Sequence, residues 1–207
     1  MELYVVRHGQ TKANETNTIQ GQGNTPLNAL GVKQAESVAA RLRGVTFAAV
    51  YSSDLDRATA TARLIAPYAA PAPCPQLREW HLGELEGRRR EDVEKDYAEA
   101  WNGFLTDRPV VVFPGGESKE AVERRVSDFL EQLAIRHEKD TILVVSHCGA
   151  IRVMFKHILG LSGCLPRQPQ IANASISRMV HANGVWQLGV WNDTAHLAGL
   201  ESKQGGY

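Results

Sequence analysis

The sequence predicts an α/β fold built on a parallel sheet, and three observations carry that prediction. Two short runs, Leu3 to Val6 and Ile142 to Val145, are apolar and β-rich without polar alternation, as strands buried on both faces of a parallel sheet are. Each leads straight into a histidine with a glycine close by: Leu3 to Thr11 reads LYVVRHGQT, and Ile142 to Arg152 reads ILVVSHCGAIR. Strand-like and helix-like segments alternate between them, over a chain of 207 residues that suits one sizeable domain.

The elements follow in order. After Gly31, Ala35, Val38, Ala39 and Leu42 share one helical face, and Ala48 to Tyr51 reads as a second buried strand. A helix starting near Asp54 buries Ala58, Ala62 and Ile65 and stops at Pro67, and Ala66 to Pro75 is a loop with four prolines. Gln76 to Leu77 ends a short third strand. Arg88 to Leu105 is charged and broadly helical, part of an insertion at about 88–113 that suits either a lid or a plain solvated helix. Ser118 is the expected N-cap of a helix whose inner face carries Val122, Val126, Phe129, Leu130 and Leu133. Ile151, Met154, Phe155, Ile158 and Leu159 mark the helix after His147, which ends near Gly160. Ser175 to His181 and Val185 to Trp191 form a hairpin turning at Asn183-Gly184. Its outer edge could pair between subunits, so a monomer or a homodimer is expected. One domain over 1–200 with a flexible tail at 201–207 results.

Composition excludes several function classes. Lys plus Arg equals Asp plus Glu at 23 each, so no global field favours nucleic acid or an anionic membrane. No apolar run approaches membrane-spanning length. Cys74, Cys148 and Cys164 are unpatterned, and Met1-Glu2 leads directly into a strand without a signal-like segment, which predicts a cytoplasmic location.

In open α/β sheets the carboxyl edge binds ligands, because strand-to-helix turns present free backbone N–H groups there. His8 and His147 are expected at that edge. Arg7 precedes His8, and Arg57 stands one turn into the helix after Ser52-Ser53; both are permanently charged forks suited to phosphate oxygens. Their charge opposes protonation of His8, leaving a neutral imidazole beside an anion. The chemistry that fits is covalent phosphoryl transfer. Glu79 is placed to protonate a departing alkoxide if desolvation keeps it neutral, and His147 to hydrogen-bond the transferring group. A zinc site from His8, His147, Glu79 and His81 is disfavoured, since two arginines would repel the cation and neither H-x-x-x-H nor C-x-x-C occurs. Walker-type spacing is absent. Cys148 suits a small filler at a helix start better than a nucleophile.

These residues resemble a known family. Arg7 to Asn14 (R-H-G-Q-T-K-A-N), Gln20-Gly21, Thr25 to Leu27 (T-P-L), Ser52 to Ala58 (S-S-D-L-D-R-A), Leu77 to Gly87 (L-R-E…G-E-L-E-G), Pro114 to Ser118 (P-G-G-E-S) and Val144 to His147 (V-V-S-H) are similar to the histidine phosphatase superfamily. The resemblance implies a phosphoglycerate mutase-like, three-layer α/β/α sandwich around a mostly parallel central sheet. It implies a phosphorylated His8, Glu79 as general acid and then base, and a phosphate pocket of Arg7, Arg57 and His147. It implies a further hydrogen bond from Asn14 and substrate contact at Gln20 and Gly21, as in the mutases; Cys148, beside His147, is expected among the substrate-binding residues. No metal or organic cofactor is implied, and the partner is a small phosphate ester.

Both phosphatases and mutases belong to this family. Where cofactor-dependent phosphoglycerate mutases carry E-R-H-Y-G, this chain has Glu79-Trp80-His81-Leu82-Gly83, which predicts a less polar wall and a bulkier or more apolar leaving group. The segment between Gly87 and Pro114 is also shorter than the mutase insertion, and one of Arg88, Arg89 and Arg90 could reach a second anionic group. The expected function is metal-independent phosphomonoester hydrolysis, of the α-ribazole 5′-phosphate type or of broad specificity. A mutase-type isomerase and a binding domain without turnover are the alternatives.

Overall fold

The computed structural model describes residues 1–106, 112–161 and 169–200. Cys164, the tail at 201–207 and residues 107–111 of the expected lid lie outside the described residues. In chain order the elements are β1 (Glu2–Arg7), α1 (Lys12–Glu15), α2 (Ala29–Arg41), β2 (Ala49–Ser52), α3 (Asp56–Ile65), β3 (Ala72–Pro73), α4 (Arg90–Asp96), α5 (Ala98–Leu105), α6 (Lys119–Arg136), β4 (Thr141–Ser146), α7 (Cys148–Ile158), β5 (Ile176–Ala182) and β6 (Val185–Asp193). The strands form one mixed sheet in the order β3-β2-β4-β1-β5-β6. The first four run parallel, β5 pairs antiparallel with β1, and β6 antiparallel with β5.

The unbroken apolar runs have a direct cause: both faces of the sheet are covered. Leu3, Val5, Ile142 and Val144 face a core built with Val122, Val126 and Leu130 of α6 and Ile151 and Met154 of α7. Val6, Leu143 and Val145 face the opposite core, with Val38 of α2 and Ala58, Ala62 and Ile65 of α3. This is the three-layer α/β/α arrangement. A third apolar cluster, Ile19, Leu82, Leu85, Val93, Trp101, Phe104 and Phe113, lies under α4 and α5.

Ser118 caps α6 as expected, accepting the Ala121 N–H at 3.2 Å. Asn183 and Gly184 take φ of 53° and 73°, the two left-handed residues of a type I′ hairpin turn. Three local expectations are corrected. The third strand is Ala72–Pro73, while Gln76 and Leu77 belong to the 3₁₀ turn Pro75–Leu77; in so proline-rich a stretch only a two-residue edge pairing survives. Arg57 is the second residue of α3, not one turn in. The Arg88 to Leu105 helix starts at Arg90 and breaks at Tyr97 into α4 and α5.

Candidate active site

Strand register places the two histidines. β1 and β4 pair in parallel from Glu2↔Thr141 to Arg7↔Ser146, so the next residue of each, His8 and His147, leaves the sheet side by side. The His8 N–H donates to the Ser146 carbonyl at 3.0 Å, and the two imidazole centroids lie 5.1 Å apart. Both side chains are buried.

Their hydrogen bonds fix the tautomers. His8 Nδ1 lies 2.7 Å from the Gly9 carbonyl, which can only accept; Nδ1 therefore carries the proton and Nε2 the lone pair. Arg57 Nε donates to His147 Nδ1 at 3.2 Å, so His147 holds its proton on Nε2. Among the described residues, the buried N–H donors His147 Nε2 and Arg7 Nε have no hydrogen-bond partner. Burial, then the charges of Arg57 and Arg7, holds His8 well below the usual histidine value, against the opposing effect of its Gly9 bond. Burial leads for His147 too, followed by Arg57, His8, Arg7 and Arg125. The direction is the one expected from Arg7 and Arg57, but desolvation is the larger cause.

The arginines are fixed by main-chain carbonyls. Arg7 Nη1 donates to Ile171 O at 2.6 Å, and Arg57 donates through Nη1 to Gly23 O and through Nη2 to Gly21 O, each at 2.7 Å. Thr61 accepts the Gly9 N–H at 3.0 Å and donates to Arg57 O at 2.7 Å, tying the nucleophile loop to α3.

Glu79 sits in the loop after the Pro75–Leu77 turn, 4% exposed. Its Oε1 and Oε2 accept the Gly149 N–H at 3.0 and 3.1 Å, and Oε1 also accepts the Trp80 N–H at 2.9 Å. Helix α7 has no cap from His147, so Glu79 supplies the acceptor that its N-terminus lacks. The carboxyl is thus hydrogen-bonded as well as desolvated. A Cβ on Gly149 would stand 2.3 Å from Glu79 Oε1, which is why glycine occupies this position.

A cavity of about 40 Å³ collects most of the predicted site. Arg7, His8, Asn14, Gln20, Arg57, Glu79 and Cys148 line it. His147 and Gly21 are not among its lining residues; His147 reaches it through the His8 ring and Arg57, and Gly21 through the carbonyl that holds Arg57. Asn14 Oδ1 accepts from the Thr11 N–H at 3.1 Å and from Asn173 Nδ2 at 3.3 Å, which leaves its NH₂ as the group with hydrogen bonds still to give. Gln20 Oε1 takes the Thr11 hydroxyl at 2.9 Å.

The expected apolar wall is corrected. Leu82 is buried in the cluster under α4 and α5, and Trp80 packs on Phe104 at 5.0 Å while donating Nε1 to Glu117 O at 3.0 Å. Neither lines the cavity; Asn17, Thr18 and Arg90 do. Apolar contact with α5 draws the indole and the leucine away, so the argument for a bulky apolar leaving group loses its basis. Arg90 is braced by Glu94 at 2.6 Å and lies over Trp101 at 5.9 Å.

The comparisons with known proteins agree with this geometry. The family model for the histidine phosphatase superfamily (branch 1) matches residues 3–194. The chain belongs to the histidine phosphatase superfamily. It is 35% identical over its whole length to a metal-independent phosphoserine phosphatase of Arabidopsis thaliana, covering 87% of that protein. It is 34% identical to a probable phosphoglycerate mutase GpmB of Proteus mirabilis, covering 97% of this chain and 96% of that one. Among solved structures it resembles the α-ribazole phosphatase of Shigella flexneri, with a TM-score of 0.81 and 28% identity over 93% of this chain and 96% of that chain. The chain is an enzyme, a histidine phosphatase.

In this histidine phosphatase, sequence reasoning missed the residues that fix the machinery. Asn173 donates to His8 O at 3.1 Å, and Ala174, at φ 56°, gives its N–H to Arg7 O and His8 O at 3.0 and 3.2 Å. No periodicity marks that loop. Glu117 stood within the quoted P-G-G-E-S motif, but its partner Arg125 reads as one more surface charge on α6. Among the described residues, no group of three or more His, Cys, Asp or Glu side chains is arranged to hold a metal ion, and no helix is long and apolar enough to cross a membrane.

Proposed function

We propose that the protein hydrolyses a small phosphomonoester, without a metal, through a phosphohistidine at Nε2 of His8. The observation that carries this reading is the pair of tautomers: a buried imidazole with its lone pair on Nε2, beside N–H donors of His147 and Arg7 that still need an acceptor. Unmade buried donors cost about 1–3 kcal/mol each, and phosphoryl oxygens answer them. His8 Nε2 attacks phosphorus as the P–O bond to the leaving group breaks, and Glu79 gives its proton to the departing oxygen. Glu79 then takes a proton from water, whose oxygen attacks phosphorus; the P–N bond breaks, its electron pair returns to Nε2, and phosphate leaves. Arg7, Arg57, His147 and Asn14 hold the phosphoryl oxygens, while Gln20, Cys148 and the loop at Gly21 shape the pocket.

Arg90, Asn17 and Thr18 favour a leaving group that carries polar or anionic character, and α4 with α5 forms the lid over it. Three arginines against one glutamate line the cavity, so the attraction for an anionic ester is local in a chain of zero net charge. The acting unit is a monomer or a homodimer, in which a second copy would extend the unpaired edge of β6. The unpaired Cys74 and Cys148 suit a cytoplasmic location.

The test is phosphate release in chelator from phosphoserine, 3-phosphoglycerate, α-ribazole 5′-phosphate, sugar phosphates and an activated aryl phosphate. Hydrolysis is expected, with Arg90→Ala raising KM about tenfold for the carboxylate-bearing esters and far less for the aryl ester. Absence of hydrolysis, with isomerisation of 3-phosphoglycerate once bisphosphoglycerate is added, would replace this reading by the mutase that the GpmB likeness suggests.

A further inference from the structure

Glu79 must deliver a proton from a loop, with no helix or strand of its own between Leu77 and Gly83. A displacement of about 1 Å at such a group can cost about 100-fold in rate, so something outside the loop has to fix it. Its carboxyl is held by the start of α7. Its main chain is held from α6, by Arg125. That guanidinium donates through Nη1 to Gln76 O and Arg78 O, both at 2.8 Å, and through Nη2 to Glu79 O at 3.1 Å. Its remaining fork closes on Glu117, with Nε to Oε1 and Nη2 to Oε2, each at 2.9 Å.

Glu117 extends the grip past Glu79. Its Oε2 also accepts the His81 N–H at 2.9 Å and Gln22 Nε2 at 3.3 Å, and Gln22 Nε2 lies 3.1 Å from Glu79 O. The loop is therefore seized before, at and after the carboxyl-bearing residue, by a pair whose side chains are 17% and 24% exposed. An exposed ion pair contributes little, but a bidentate one that also satisfies three carbonyls sets geometry. Lysine, a single point charge, could not replace that fork. Arg125 is not among the residues lining the cavity, so it acts on the chemistry through Glu79.

We propose that Arg125, oriented by Glu117, is the positioning residue for proton transfer by Glu79. This rests on the reading of Glu79 as general acid. A residue that only stabilised the fold would slow all substrates alike. One that positions the acid must slow esters in proportion to how much their leaving group needs the proton.

The experiment compares kcat and KM for an alkyl phosphate and for 2,4-dinitrophenyl phosphate in wild type, Glu79→Gln, Arg125→Gln, Glu117→Gln and the Glu79→Gln/Arg125→Gln double variant. Glu79→Gln is expected to lower kcat/KM, which reports transfer to His8 before Glu79 acts as base, about 100-fold more for the alkyl ester than for the aryl ester. Arg125→Gln and Glu117→Gln should slow the alkyl ester at least about tenfold more than the aryl ester, with the loss in kcat rather than KM. The double variant should be no slower on the alkyl ester than Glu79→Gln alone, because both changes remove one step. Glu117→Gln, which changes no side-chain volume, carries the comparison should Arg125→Gln fail to fold. Equal slowing of the two esters by both positioning variants, with Glu79→Gln still selective, overturns the role of Arg125 alone. An equal loss in Glu79→Gln of kcat/KM for the two esters, a quantity that ends at transfer to His8 and so leaves out the later role of Glu79 as base, removes the general acid and the positioning role together.

Discussion

At the scale of the residue, the site depends on two imidazoles kept neutral by burial and by neighbouring guanidinium groups. Both histidines sit well below the usual value of 6.5. Below about pH 6.5 the unfolded chain therefore takes up protons that the folded chain refuses, and stability falls as pH falls, by up to about 1.4 kcal/mol per pH unit for each histidine until its folded value is reached. Above about pH 7 neither group contributes a slope. Urea midpoints at pH 7.5, 6.5 and 5.5 should decline in the wild type and decline less in His147→Gln; a flat profile in the wild type would contradict the burial of neutral histidines. Sequence made His8 and His147 legible, because each ends an unbroken apolar strand. It could not reveal which ring nitrogen carries the proton. That depends on the Gly9 carbonyl and on Arg57, which lies 90 residues from His147 in the chain.

At the scale of the element, helix α7 and the loop bearing Glu79 complete each other. The helix lacks a capping side chain of its own, and the carboxylate, which takes the Trp80 N–H from within its loop, takes its other main-chain donor, the Gly149 N–H, from the helix. Gly149→Ala should therefore act oppositely on the two. Alanine favours helix over glycine by about 1 kcal/mol, so the melting temperature should hold. The added Cβ, 2.3 Å from Oε1, should displace the acid and lower kcat at least about tenfold on alkyl esters. Unchanged kcat would show that the carboxyl has room to shift. Elements with long periodic faces, α6 above all, were readable from Val122, Val126, Phe129, Leu130 and Leu133. The two-residue β3 was not, since its pairing with Tyr51 and Ser52 is a tertiary fact in a proline-rich loop. Nor was the turning of Trp80 and Leu82 towards α5, because sequence gives the side chain and not the face that wins it.

At the scale of the whole molecule, one sheet brings residues from Arg7 to Asn173 to a single edge. The order β2-β4-β1-β5 seats the two histidines on adjacent central strands. Helix α3 delivers Arg57 from one side layer, and α6 fixes the Glu79 loop from the other. The fold was legible because both faces of β1 and β4 are buried, and burial on both faces writes itself into sequence as an unbroken apolar run. The clamp on the loop was not, being made of backbone carbonyls that every sequence possesses. The central claim is that phosphorus passes through His8. The direct measurement is rapid acid-free quenching of the enzyme with a radiolabelled phosphoester in chelator, followed by mapping of the label. A transient, acid-labile and alkali-stable phosphoryl group on His8, absent in His8→Ala together with turnover, is the result expected. Phosphate release without label on His8, or turnover surviving in His8→Ala, would contradict the account.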